Sequence, residues 1–75
     1  MLDLFKEKKY QIRAYLIKDK HRRIVNKTVI ARTLPQARRL AKTYLLEKHK
    51  EKIENGYVLK LEKTPVYTEV LSHES

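Results

Sequence analysis

Seventy-five residues leave room for one small domain, because a chain this short buries only about three-fifths of the surface its unfolded form exposes; a two-domain enzyme is excluded. An apolar fraction of 41% with a charged fraction of 36% predicts a thin core and a heavily solvated exterior. Eighteen Lys and Arg against nine Asp and Glu leave a formal +9, which favours polyanions or acidic protein surfaces as partners. The absence of Cys removes disulfides and thiolate chemistry, and apolar runs such as Tyr15 to Ile17 fall far short of the roughly 20 residues that cross a bilayer. No early run serves as a secretory signal core either, so the reading is a soluble cytoplasmic protein with no membrane partner.

In chain order, Met1 to Phe5 carries Leu2, Leu4 and Phe5, and a charged stretch follows, so this end either docks on the core or frays, with residues 1 to 8 and 72 to 75 the candidates for fraying. From Tyr10 to Lys18 the residues alternate, with Tyr10, Ile12, Ala14 and Leu16 on one face and Gln11, Arg13, Tyr15 and Ile17 on the other, which predicts a half-buried strand. A second β-prone run, Ile24 to Ala31, makes the pair a hairpin. Its connection has no glycine, so a loop of three to five residues with a basic tip is expected. The facing of the second strand stays open, since Ile24, Thr28 and Ile30 compete with Val25, Val29 and Ala31.

Thr33 followed by Gln36 has the capping-box spacing, and Pro35 falls in the first turn, where its missing N–H costs nothing. Ala37, Leu40, Ala41, Tyr44 and Leu45 then recur at helical spacing. Asn55-Gly56 should stop this helix near Ile53. Tyr57, Leu59 and Leu61 alternate with Val58, Lys60 and Glu62 as a third strand that Pro65 ends, and Val66 to Leu71 reads as either a short edge strand or a loose tail.

The simplest packing is a single α+β domain of order β-β-α-β, a three- to four-stranded, mainly antiparallel sheet with one helix on one face. Tyr10, Ile12, Ala14, Leu16, Leu40, Tyr44, Leu45, Leu59 and Leu61 form its expected core. The other sheet face is left open with Gln11, Arg13, Tyr15 and Lys60, and Lys27 is placed there as well.

The positive charge is concentrated. Residues 1 to 52 hold sixteen Lys and Arg against five acids, whereas residues 53 to 75 hold two against four, so the segments carry +11 and −2. Lys18, Lys20, Arg22 and Arg23 gather around the hairpin connection, and Arg38, Arg39 and Lys42 follow the helix start, where amides also favour phosphate. If the two groups converge on one side, they track a nucleic-acid backbone. A two-stranded ribbon fits the major groove, and Arg13 with Tyr15 on the open sheet is suited to base edges or unpaired bases. The opposing reading is a solvated face that only keeps the domain soluble.

Catalysis and metal binding find little support. His21, His49 and His73 fall in a turn, a helix and the tail, without Cys or a clustered carboxylate to complete a metal site. Serine occurs only at Ser72 and Ser75, and Glu47, Glu51 and Glu54 alternate with Lys48, Lys50 and Lys52 as ion pairs do. One glycine excludes a glycine-rich phosphate loop. The protein is expected to be no enzyme and to need no cofactor.

The basic hairpin followed by Thr33-Leu34-Pro35-Gln36-Ala37 and an amphipathic helix, over about residues 10 to 46, resembles the arm-type DNA-binding domains of phage and transposon integrases. In those domains a three-stranded sheet precedes the helix; here a strand follows it, and their hairpin glycine is missing. The resemblance adds weight to a nucleic-acid partner, with DNA favoured over RNA but the choice between them left open. The leading expectation is therefore a nucleic-acid-binding module with Arg13, Tyr15, Lys18, Lys20, Arg22, Arg23, Arg38, Arg39 and Lys42 as its contacts. The alternative is a phage- or mobile-element-type accessory protein that docks on an acidic protein surface or forms a homodimer through its open sheet.

Overall fold

The computed structural model describes residues 6–71. Strands β1 (Lys8–Lys18) and β2 (His21–Ala31) form a long hairpin, followed by helix α1 (Leu34–Lys48), the short helix α2 (Lys50–Glu54), and strands β3 (Val58–Leu61) and β4 (Tyr67–Val70). All pairings are antiparallel and all include β1: β2 runs along one edge, while β3 and β4 share the other. The α+β architecture with one main helix on a four-stranded sheet is the one expected. Residues 1 to 5 and 72 to 75, including Leu2, Leu4 and Phe5, lie outside the described residues. Lys8 opens β1, and Glu7 accepts a hydrogen bond from the Leu71 amide at 3.0 Å.

The hairpin departs from expectation at its turn. Lys18 pairs with His21, so the connection is two residues, Asp19-Lys20, rather than a loop of three to five. Asp19 takes φ 55°, the left-handed region that Asp tolerates better than most residues, and so supplies what glycine would have. The ladder then runs without a bulge from Lys18–His21 to Lys8–Ala31. Because cross-strand partners share a face, Val25, Val29 and Ala31 join Tyr10, Ile12, Ala14 and Leu16 toward the helix, and Arg22, Ile24, Asn26, Thr28 and Ile30 join the open face.

The far edge of β1 carries a three-residue insertion. Three steps along β1, from Ala14 to Gln11, correspond to six along the edge, from Leu61 to Tyr67. An odd insertion reverses which residues look inward: Leu59 and Leu61 lie on the helix side in β3, whereas in β4 Tyr67 and Glu69 lie on the open side. Pro65 sits within the loop, between ladder bonds from the Glu62 amide to Arg13 and from the Val66 amide to Gln11, both 2.8 Å. Its missing N–H is therefore not needed.

Thr33 caps α1 through its hydroxyl, which accepts from the Gln36 amide at 3.3 Å; the Gln36 side chain reaches back to the Arg32 amide at 2.9 Å, one residue before the position the capping box specifies. The helix does not run unbroken to Ile53. His49, at φ −109° and ψ 30°, separates α1 from α2, and α2 ends in a Schellman arrangement, with the Gly56 amide bonded to Ile53 and the Tyr57 amide to Lys52. Gly56 has φ +104°, a conformation that strains any side chain.

Ala37, Ala41 and Leu45 are the buried stripe of α1, and the two alanines let the helix sit close on Tyr10, Ile12 and Ala31. Leu40 and Tyr44, expected in the core, are 45% and 41% exposed. They project from the β2 side of the helix, where the sheet ends at β2 and offers no further strand to cover them. Leu59 and Leu61 are half-buried. Among the described residues the large side chains that are fully enclosed are Ile12, Leu16 and Leu45, in keeping with the thin core that the composition implies.

Candidate anion-binding cleft

Helix α1 leans on the sheet so that its Arg38, Arg39 and Lys42 side faces β3. Together with Pro35, Leu59, Lys60 and Leu61 these residues line an open cleft of about 500 Å³. Arg38, Arg39 and Lys42 supply its cations from α1, no carboxylate lines it among the described residues, and Lys60 contributes at the β3 edge, where its pairing with Tyr15 starts its side chain on the open-face side. Arg39, Lys42 and Lys60 are exposed, whereas Arg38 is half-buried with its Nε sealed from solvent and without a hydrogen-bond acceptor. A buried donor left unpaired costs free energy. The apolar floor of Leu59 and Leu61 lowers the local dielectric and strengthens attraction for an anion.

The remaining expected contacts are dispersed. On the open sheet face, the Arg22 guanidinium stacks over the Tyr15 ring, 4.3 Å from its centroid, and the Tyr15 hydroxyl donates to Glu62. Tyr15 is thus engaged within the chain at its hydroxyl and on a ring face. Arg13 lies on the same face, its Nε buried without an acceptor. Lys18 passes above Tyr57 at 5.7 Å, and Lys20 occupies the turn. Arg23 is opposite Leu16 and so belongs to the helix side. The turn cations divide between the faces: Lys18 and Arg23 share the side of the helix, whereas Arg22 stands on the opposite face of the sheet.

A second basic zone forms on the β2 side of α1. Lys27 was expected on the open face, but its pairing with the fully buried Ile12 turns it toward the helix, where its Nζ lies 3.8 Å from the Tyr44 ring centroid, with Lys48 at 5.8 Å. His49 stands beside this zone, its pKa lowered first by partial burial and then by Lys48, Lys52 and Arg23. Among the described residues no three His, Asp or Glu side chains are grouped as metal ligands, and no helix is long and apolar enough to cross a membrane.

Sequence reasoning placed Lys60 on the open face and left it out of the contact set, and it missed the Lys27–Tyr44 contact. The register bears out the open-face placement of Lys60, which pairs with Tyr15, and adds that the β3 edge at Lys60 borders the cleft under α1. Searches against known protein families, curated proteins and solved structures return no match, so the likeness to integrase arm-binding domains gains no support from them. Two strands rather than three precede the helix.

Proposed function

We propose that the protein is a non-catalytic nucleic-acid-binding module whose phosphate contacts are made in the cleft between α1 and β3. One observation carries this reading: Arg38, Arg39 and Lys42 of α1 line, with the β3 edge at Lys60, a single concavity that no acidic residue lines among the described residues. The dimensions suit a chain of phosphates better than an isolated small anion, because the cations are spread along a helix face and an adjacent strand rather than around one point. DNA is the favoured partner. Arg13 and Arg22 on the opposite face are outside this contact surface.

The test is an electrophoretic or fluorescence titration with duplex and single-stranded DNA and RNA of about 20 nucleotides over a salt series. Four neutralised phosphates on a duplex give a log–log slope near −3.6. The double variant Arg39→Glu, Lys42→Glu, both exposed and outside the core, is expected to weaken binding at least ten-fold, while Arg22→Glu changes it little. Equal losses from the two variants, or an affinity insensitive to salt, would refute the assignment.

A further inference from the structure

The outer edge of β2 is the longest free backbone edge among the described residues. Strand β1 is paired on both sides, but β2 is paired only with β1, and it runs eleven residues without a bulge or a proline. Antiparallel geometry fixes which of its groups are free. The Arg13 and Gln11 carbonyls accept bonds from the β3/β4 side, so the odd-numbered residues of β1 use that edge and the even-numbered ones use β2. Their partners follow suit: the amides and carbonyls of Arg22, Ile24, Asn26, Thr28 and Ile30 point outward with no strand to meet them.

The side chains along this edge specify what would pair there. On the open face, Ile24 and Ile30 are 56% and 52% exposed at opposite ends of the row. On the helix face stand Arg23 and Lys27, with Lys48 and His49 behind them, and β2 contains no acid. We infer that β2 accepts an extended segment of another protein in which apolar and acidic residues alternate, its apolar side chains lying beside Ile24 and Ile30 and its carboxylates beside Arg23 and Lys27. Main-chain bonds supply the affinity of such strand addition and the alternating side chains its selectivity. A second copy of this chain is a poorer occupant. Each copy brings a formal +9, and the antiparallel self-pairing that sets Ile24 against Ile30 also sets Lys27 against Lys27.

The two faces of the partner strand meet different chemistry, so the inference is separate from the phosphate cleft, which lies across α1 on the β3 side. Its test uses the full chain and a capped nine-residue peptide alternating valine and glutamate, with a peptide of the same composition in two blocks as control. Amide hydrogen exchange is the readout. With the alternating peptide at saturation, the amides of Ile24, Asn26 and Thr28 should exchange at least ten-fold more slowly, while those of Val25, Lys27 and Val29, already bonded to β1, stay as they were. The block peptide should leave both sets unchanged.

Two variants sharpen the outcome. Asn26→Pro removes an outward N–H that β1 does not use, and should abolish the protection; retained protection at Val25, Lys27 and Val29 verifies that the hairpin still forms. Lys27→Glu should weaken the alternating peptide at least five-fold without altering the backbone edge. The inference is overturned if the peptide binds without protecting the outward amides, if no binding occurs, if duplex DNA protects those amides instead, or if they are already protected without peptide in a species of doubled mass by light scattering.

Discussion

The α1–β3 cleft and the open sheet face carry similar numbers of cations but differ in what surrounds them. On the open face, Glu69 lies 3.9 Å from Lys9, Glu62 accepts from Tyr15, and Arg22 rests on the Tyr15 ring. In the cleft, Arg38, Arg39, Lys42 and Lys60 have no carboxylate among the lining residues. A count of charges treats the two regions alike, but the fields differ, because carboxylates stand among the cations of the open face, where the buried Arg13 Nε lacks an acceptor, and none is among the described lining residues of the cleft. Where a cation points, and what it meets within its own chain, decides whether it is free to act on a partner.

That comparison can be broken at three strengths. The strongest intervention removes the seat of the helix: Leu45→Ala should cost about 2–5 kcal/mol, lowering the midpoint of thermal unfolding by 10 °C or more and weakening nucleic-acid binding as α1 loses its register on β3. Circular dichroism on heating checks the first effect. A midpoint shift under about 3 °C would mean that the helix side chains carry less of the packing than their burial implies.

Arg22→Ala probes the satisfied region. Loss of the guanidinium over Tyr15 should cost about 0.5–1 kcal/mol in denaturant unfolding, with nucleic-acid affinity lowered less than three-fold. A large loss of affinity with unchanged stability would reverse the roles assigned to the two faces.

The smallest effect concerns His49, on the opposite flank of α1 from the cleft. Its folded pKa lies below the ordinary 6.5, chiefly through burial and then through Lys48, Lys52 and Arg23, so the folded state disfavours the protonated ring. The sign follows from linkage: the contribution is present above pH 6.5 and is lost as pH falls through the depressed folded value. His49→Gln should flatten the decline of stability between about pH 7 and pH 5 relative to the parent chain, as followed by urea midpoints. Parallel curves for the two proteins would show that protonation of this ring is not coupled to folding.

Much of the fold was legible because it rests on local periodicity. Alternation from Tyr10 to Leu16 identifies the inward face of β1, Thr33 and Pro35 mark the start of α1, and Asn55-Gly56 marks the end of α2. The misses have distinct physical origins. Asp19 adopted the left-handed conformation that the absence of glycine seemed to deny, which shortened the turn to two residues. Leu40 and Tyr44 belong to the apolar stripe by spacing but overhang a sheet that ends at β2, and Tyr44 found Lys27 instead of the core. The break at His49 has no proline or glycine to announce it.

The candidate site divides in the same way. Residue order alone determined that the chain is basic, that its charge is concentrated before residue 53, that one helix crosses a mostly antiparallel sheet, and that Arg13 and Tyr15 share a face. Only tertiary structure decided that Arg22 and Arg23 part to opposite sides, that the β3 edge closes a cleft beside the cations of α1, and that Arg22 is held by Tyr15. Periodicity is a property of neighbours in the chain and fixes each side chain's direction within its element. Whether two cations from different elements meet depends on how the elements pack, and that is set by the small Ala37–Ala41 contact and the register of β3, which no local pattern encodes.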